Sequence, residues 1–305
     1  MDILAVISIP FDPDIIRTAG FILSWHGFFT FVAVAVAVYL TWRWGRKEGL
    51  DGDAILSVAT WCIIGGIIGA RILHVIDFWD DVYQYNPVRI VYFWNGGIAI
   101  FGAYLGGFAG GAAYITLRNA RWLTGFFDSP GLRWTGMHRP LAQMPPVSHL
   151  ADVAAPALLI ALAIGRIGDV INGEHWSSFS DLPWAWVYTD PDSLGYGRPA
   201  SHPAVAYELI FCLIWAGVLW WLKDRIRPRG MLFALFFAGY SAGRFFISFV
   251  RQEQNTYIFG FNEAQLVALA VMVVTVPLLI YRARLVRPTR GARERRQAPA
   301  ETNEG

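Results

Sequence analysis

One stretch of this chain concentrates side chains able to do chemistry. Ala163 to Trp176, AIGRIGDVINGEHW, carries Arg166, Asp169, Asn172, Glu174 and His175. An apolar helical pattern begins at Leu150, holds Arg166 inside it, and breaks at the polar run that follows. A guanidinium is permanently charged and presents planar paired donors, so it suits bidentate binding of phosphate. Carboxylates and imidazole beside it are groups that can move protons. Arg71 and Arg244 also lie inside apolar segments. An arginine at bilayer depth costs roughly 2.5–3.5 kcal/mol on insertion scales, so each is predicted to face polar surroundings and is a candidate for function.

The elements that must position these residues are membrane helices. The chain is 55% hydrophobic and 16% charged, against roughly 45–50% and about 25% in soluble domains. That composition predicts an all-α integral membrane protein. Seven apolar segments approach or exceed the ~20 residues that cross a bilayer: about Phe21–Trp42, Ile55–Ile76, Gly97–Leu117, Leu150–Ile171, Ala204–Leu222, Met231–Val250 and Gln265–Tyr281. Residues 1–281 read as a single transmembrane domain, and residues 282–305 as a basic, disordered tail that leans on anionic lipid. The first dozen residues lack the basic start and small-residue cleavage site of a signal peptide. Cys62 and Cys212 lie in apolar segments without metal-binding spacing and read as buried small side chains. The net charge of +2 gives no nucleic-acid signal, because the basic residues gather beside the predicted spans.

Orientation follows from those basic clusters, since positive loops stay cytoplasmic. Arg43, Arg46 and Lys47, then Arg118 to Arg139, Lys223 to Arg229, and the arginines after Tyr281 fall on one side if seven spans alternate. The N-terminus is therefore expected outside and the C-terminus inside. Arg166 then lies five residues before the outer end of its span and Arg244 six, roughly 8–9 Å below the outer surface at a 1.5 Å rise. Arg71 has the same expected depth, His26 mirrors it in the first span, and Glu208 sits one turn into the fifth. A shared polar cavity in the outer leaflet accounts for this layer, and arginines there could hold a phospholipid headgroup. The plainer alternative is that they pair with Asp169, Glu174, Glu208 or backbone carbonyls and lock helices together. A transporter is a third reading, although it would place polar residues nearer the midplane and show internal repeats.

Glycines between Gly65 and Gly69, and between Gly96 and Gly111, form small-residue faces suited to close helix packing. Gly96 and Gly97 could instead begin a re-entrant segment. Gly195 to Pro203, with Arg198 and His202, reads as an outer loop, and Pro183 to Trp186 as a cover over the cavity mouth.

An ordered set of motifs then resembles the bacterial prolipoprotein diacylglyceryl transferase family. They are SWHG at Ser24–Gly27, GAR at Gly69–Arg71, WNGGIAIFGAYLGG at Trp94–Gly107, DVAAP at Asp152–Pro156, GRIGDVINGEHW at Gly165–Trp176, HPAVAYE at His202–Glu208 and GRFFISFVRQ at Gly243–Gln252. The resemblance implies seven spans with the N-terminus outside the bacterial cytoplasmic (inner) membrane. It implies transfer of the diacylglyceryl group of phosphatidylglycerol to the lipobox cysteine of prolipoproteins, with release of glycerol phosphate and no metal or nucleotide. Arg166 and Arg244 match the family's essential arginines, and Glu174 matches a family glutamate beside Asn172. Arg71, Asp169, Asn172, His202, Glu208 and Arg251 are the expected substrate-binding set.

The chain departs from the family pattern at several of these positions. His26 stands where Tyr is common, Asp169 for Asn, Ser177 for Gly and Ser248 for Glu. Phe101 replaces a His proposed as the thiol base. A cysteine thiol of pKa ~8.5 needs a base or cationic surroundings to ionise near neutral pH. His26 is the expected substitute, with Glu174, His175 and His202 as less favoured candidates. The departures also leave open a non-catalytic relative that binds phospholipid or a signal peptide.

Overall fold

The computed structural model describes residues 6–18, 22–92, 97, 99–120, 144–252 and 256–287. Seven long α-helices occur among them: α1 (Trp25–Lys47), α2 (Gly52–Asp77), α3 (Ile100–Arg118), α4 (Val147–Asn172), α5 (Ala204–Leu222), α6 (Met231–Ile247) and α7 (Glu263–Arg282). In lipid every backbone N–H and C=O must be satisfied within the segment, which is why these apolar stretches fold as helices. Five of them, α1, α2, α4, α5 and α7, are long and apolar enough to cross a membrane, and α6 is apolar but shorter. The protein is therefore a mostly helical, multi-pass membrane protein.

The chain divides into two compact units, Met1–Leu40 with Ala151–Gly305, and Thr41–Leu150. In the second unit, α2 and α3 approach through facing glycines. A side-chain carbon on Gly69 would strike the carbonyl of Gly102, and one on Gly106 would strike that of Gly65. The small-residue faces are thus used for helix contact. The third helix starts at Ile100 rather than at Gly97. Gly97 itself has a left-handed backbone, φ 77°, while Gly96 lies outside the described residues, as does Trp94.

In the first unit, α4, α5 and α6 share a core of Ala155, Leu159, Ala163, Cys212, Ala216, Leu219, Leu232 and Phe236. Three short strand pairs sit at its edges. β1 (Ile7–Ile9) runs parallel to β4 (Trp186–Tyr188), with Ile7 opposite Trp186. β2 (Asp14–Arg17) pairs with β3 (Ile22–Ser24), and β5 (Ile226–Arg227) with β6 (Arg284–Leu285). Arg284 and Leu285, within the segment expected as a disordered tail, are thus paired strand residues. Trp186, expected to cover a cavity, is instead buried with Ile9 and Val205, because β4 turns its indole into that small core. Trp184 remains half exposed, and its indole N–H donates to the Tyr207 hydroxyl at 2.9 Å.

Helix ends follow familiar chemistry. Asn262 and Gln265 form a reciprocal capping box at the start of α7. α6 takes its cap from another helix: Asp152 of α4 accepts from the backbone N–H groups of Gly230 at 2.6 Å and Phe233 at 2.9 Å. A carboxylate there satisfies orphan donors and complements the positive helix end. Asp152→Ala is expected to cost about 1–2 kcal/mol, read as a lowered thermal midpoint in detergent. An unchanged midpoint would show the cap to be dispensable.

Candidate functional site

The site is built where α4 ends. Arg166 and Asp169 lie three residues apart on one helical face, and Arg166 Nη1 donates to Asp169 Oδ2 at 2.5 Å. Gly173, φ 74°, closes the helix, its N–H donating to the Asp169 carbonyl at 3.1 Å. The left-handed turn that glycine permits at a helix C-terminus folds the next residues back over the last turn. Glu174 then accepts from Asn172 Nδ2 at 2.9 Å, and His175 Nε2 comes within 3.4 Å of Asp169 Oδ2.

Glu208 of α5 is the hub. It is 1% exposed and accepts from Arg166 Nη2 at 2.7 Å, the Tyr240 hydroxyl at 2.8 Å and Arg244 Nη1 at 3.2 Å, with Arg251 Nη1 at 3.6 Å. One buried carboxylate thereby ties α4, α5, α6 and the segment after α6. Arg251 also meets the site from the other side: its Nη2 donates to His175 Nδ1 at 2.9 Å. That bond fixes His175 with its proton on Nε2, so both ring nitrogens are engaged. Three guanidiniums thus meet at Glu208, and Arg166 is shared with Asp169.

His26 joins from α1. Trp25 N–H donates to the Pro13 carbonyl at 3.0 Å, so the β2–β3 hairpin holds the helix start. At Gly168 of α4 an added side-chain carbon would run into the backbone of Trp25 and His26. This close approach places His26 Nδ1 at 2.6 Å from Asp169 Oδ1 and 3.7 Å from Glu174 Oε1. Gly168→Val is expected to push the start of α1 off α4 and to lower turnover about tenfold or more, since ångström-scale misplacement of a reacting group is costly. A variant with unchanged turnover would show that this close approach is not needed.

The structure brings together His26, Arg166, Asp169, Asn172, Glu174, His175, Glu208, Arg244 and Arg251. His202 stands apart from them in its contacts: its Nδ1 lies 3.4 Å from the Tyr207 hydroxyl. Arg71 belongs to the other unit. Its guanidinium donates to the carbonyls of Ile90 at 2.9 Å, Gly97 at 2.7 Å, and Arg89 and Tyr92, so it staples the loop that follows α2. The same guanidinium lies over the Tyr83 ring, 5.5 Å from its centre. Sequence reasoning missed Tyr240. It lies one helical turn before Arg244 on α6, and that i, i+4 spacing was the available signal.

Arg198 of the outer loop stacks over the Trp176 ring, 3.2 Å from its centre, as a cation over an indole does. Tyr188 is half-buried, and loss of water around it pushes its hydroxyl pKa up, with the Asp169 charge adding to the shift. Its O–H stays protonated and donates a hydrogen bond to the Val170 carbonyl at 2.9 Å. Ser248, at a position where the family pattern has a carboxylate, is buried at 2% exposure, and its hydroxyl has no hydrogen-bond partner among the described residues.

Among the described residues, His26, Asp169 and Glu174 put one ligand atom each within 4.8 Å of the others. That spacing could accept a cation. Arg166 already supplies the positive charge to Asp169, and the chemistry developed below routes no step through a metal.

The fold and site together define a multi-pass helical membrane protein in which partly buried arginines and carboxylates converge beside an imidazole. The family model described as prolipoprotein diacylglyceryl transferase matches residues 13–129 and 135–281, and the chain belongs to that family. It is 32% identical over 280 residues to the phosphatidylglycerol–prolipoprotein diacylglyceryl transferase of Dehalococcoides mccartyi, covering 91% of this chain and 96% of the relative. The protein of the same name from Symbiobacterium thermophilum is 32% identical over 276 residues, covering 88% and 92%. That from Corynebacterium efficiens is 29% identical over 295 residues, covering 90% and 83%.

Proposed function

We propose that this chain is an enzyme that transfers the diacylglyceryl group of phosphatidylglycerol to the lipobox cysteine thiol of prolipoproteins, the first step of lipoprotein maturation. Together with family membership, one observation carries the reading. Arg166, Arg244 and Arg251 converge on the single carboxylate of Glu208, a concentration of three guanidiniums that suits the negative charge of a phosphodiester.

The step forms a bond between the cysteine sulfur and the glyceryl carbon while the carbon–oxygen bond to phosphate breaks. The electron pair leaves on the phosphate oxygen, and glycerol phosphate departs. Arg166 and Arg244 stabilise that growing charge. His26 takes the thiol proton: Asp169 can only accept, so His26 Nδ1 carries the hydrogen and Nε2 the lone pair. His26 Nε2 has no hydrogen-bond partner among the described residues. Asn172 and Glu174 offer a donor and an acceptor for headgroup hydroxyls, and Arg251 holds His175. His202 beside Tyr207 is assigned to the lipid's approach, and Arg71 to shaping the loop after α2.

The membrane arrangement belongs to the same proposal. All seven helices span the bacterial inner membrane, with the N-terminus outside and the C-terminus cytoplasmic, as the lysine and arginine distribution requires. The test is mass spectrometry of a lipobox peptide incubated with the purified protein and phosphatidylglycerol. A gain of one diacylglyceryl group on the cysteine supports the enzyme. Bound lipid with no mass gain would instead establish a binding relative.

A further inference from the structure

We infer that Asp169 is a positioning residue that couples the two halves of the proposed reaction, linking proton uptake at His26 to release of Arg166 toward the departing phosphate. The inference rests on the transfer reaction proposed above. Its basis is that the two oxygens of one carboxylate are divided between the two groups: Oδ1 lies 2.6 Å from His26 Nδ1, and Oδ2 lies 2.5 Å from Arg166 Nη1. Asp169 itself is 4% exposed, so its charge is shared between these partners rather than with water.

The other imidazole in the cluster cannot take this part. His175 accepts from Arg251 Nη2 through Nδ1 and lies 3.4 Å from Asp169 Oδ2 through Nε2, so neither nitrogen is open to a thiol. His26 differs because only its Nδ1 is held. Two residues separated by nearly half of the chain, each a departure from the family pattern, thus meet as a hydrogen-bonded pair.

The coupling follows from charge. When the thiol proton moves to Nε2, the imidazolium draws more of the Asp169 charge onto Oδ1. Arg166 then loses part of its counter-charge as negative charge develops on the phosphate oxygen, and its donors turn to that oxygen. The reverse also holds: a phosphate that engages Arg166 leaves Asp169 freer to stabilise the imidazolium. After carbon–oxygen cleavage the proton passes from His26 to the glycerol phosphate, and the pair returns to its resting charges.

The experiment measures kcat for peptide modification in four proteins: the unmodified chain, H26A, R166K and the double variant. The set is then repeated with D169N added. R166K keeps a charge and residual turnover. In the natural background, the product of the two single losses is expected to exceed the loss of the double variant by about fivefold, since contacting partners are non-additive. With D169N the losses are expected to multiply to within about twofold, because no shared carboxylate remains. D169N alone is expected to lower kcat while leaving KM for phosphatidylglycerol nearly unchanged, which a loosened fold would not do. D169S gives a second way to remove the link should D169N not purify as a monodisperse protein. Independent losses in the natural background, or coupling that survives both replacements, would overturn the relay while leaving the transferase intact. Absence of transfer by the unmodified chain would overturn both.

Discussion

Glu208→Ala is expected to cost about 3–5 kcal/mol, the range for removing one partner of a buried ion pair, and to be the most damaging substitution in the protein. The carboxylate is 1% exposed and meets Arg166, Tyr240, Arg244 and Arg251. Without it, guanidiniums from different helices face one another with no counter-charge, and the α4, α5 and α6 core must open or admit water. The measurement is the thermal midpoint and the monodisperse yield in detergent. Glu208→Gln keeps shape but not charge and should fall between the alanine variant and the natural protein. A Glu208→Ala variant with the midpoint of the natural protein would show that the arginines are not held by this carboxylate.

Arg166→Ala is expected to abolish transfer with a smaller effect on folding. A fixed donor aimed at developing negative charge is worth about 2.7–4 kcal/mol, or two to three orders of magnitude in turnover. Among the described residues, Arg166 is the one arginine that touches both Glu208 and Asp169, so it joins the carboxylate hub to the partner of the proposed base. Arg166→Lys should retain part of the rate, because a lysine supplies charge but not the paired planar donors. The check is diacylglyceryl gain per unit time on a lipobox peptide, with lipid binding measured alongside. An alanine variant above one tenth of the natural rate would remove Arg166 from the chemistry.

The two predictions separate roles that the sequence could not. Arg166, Arg244 and Glu208 all read as polar groups in apolar helices at one expected depth. Of the two readings of the arginines, the ion pairs between helices are seen in the structure, and binding of phosphate is the part proposed above.

By itself the sequence determined the helical membrane class, because long apolar segments admit no other way to satisfy the backbone in lipid. It also marked the candidate stretch, because arginine inside such a segment is costly in lipid, and it carried the family motifs in order. Glycine at 173 marked the helix end through its tolerance of positive φ. Only the tertiary structure decided the pairings. His26 and Asp169 are 143 residues apart, and their contact depends on Gly168 letting α1 approach α4. Which arginines share Glu208, that Arg71 binds the carbonyls of the loop after α2, and that Trp186 is core rather than cover were likewise settled by packing between distant segments. Local pattern fixes which face of a helix is polar. Which polar group on another helix meets it depends on the path of the whole chain.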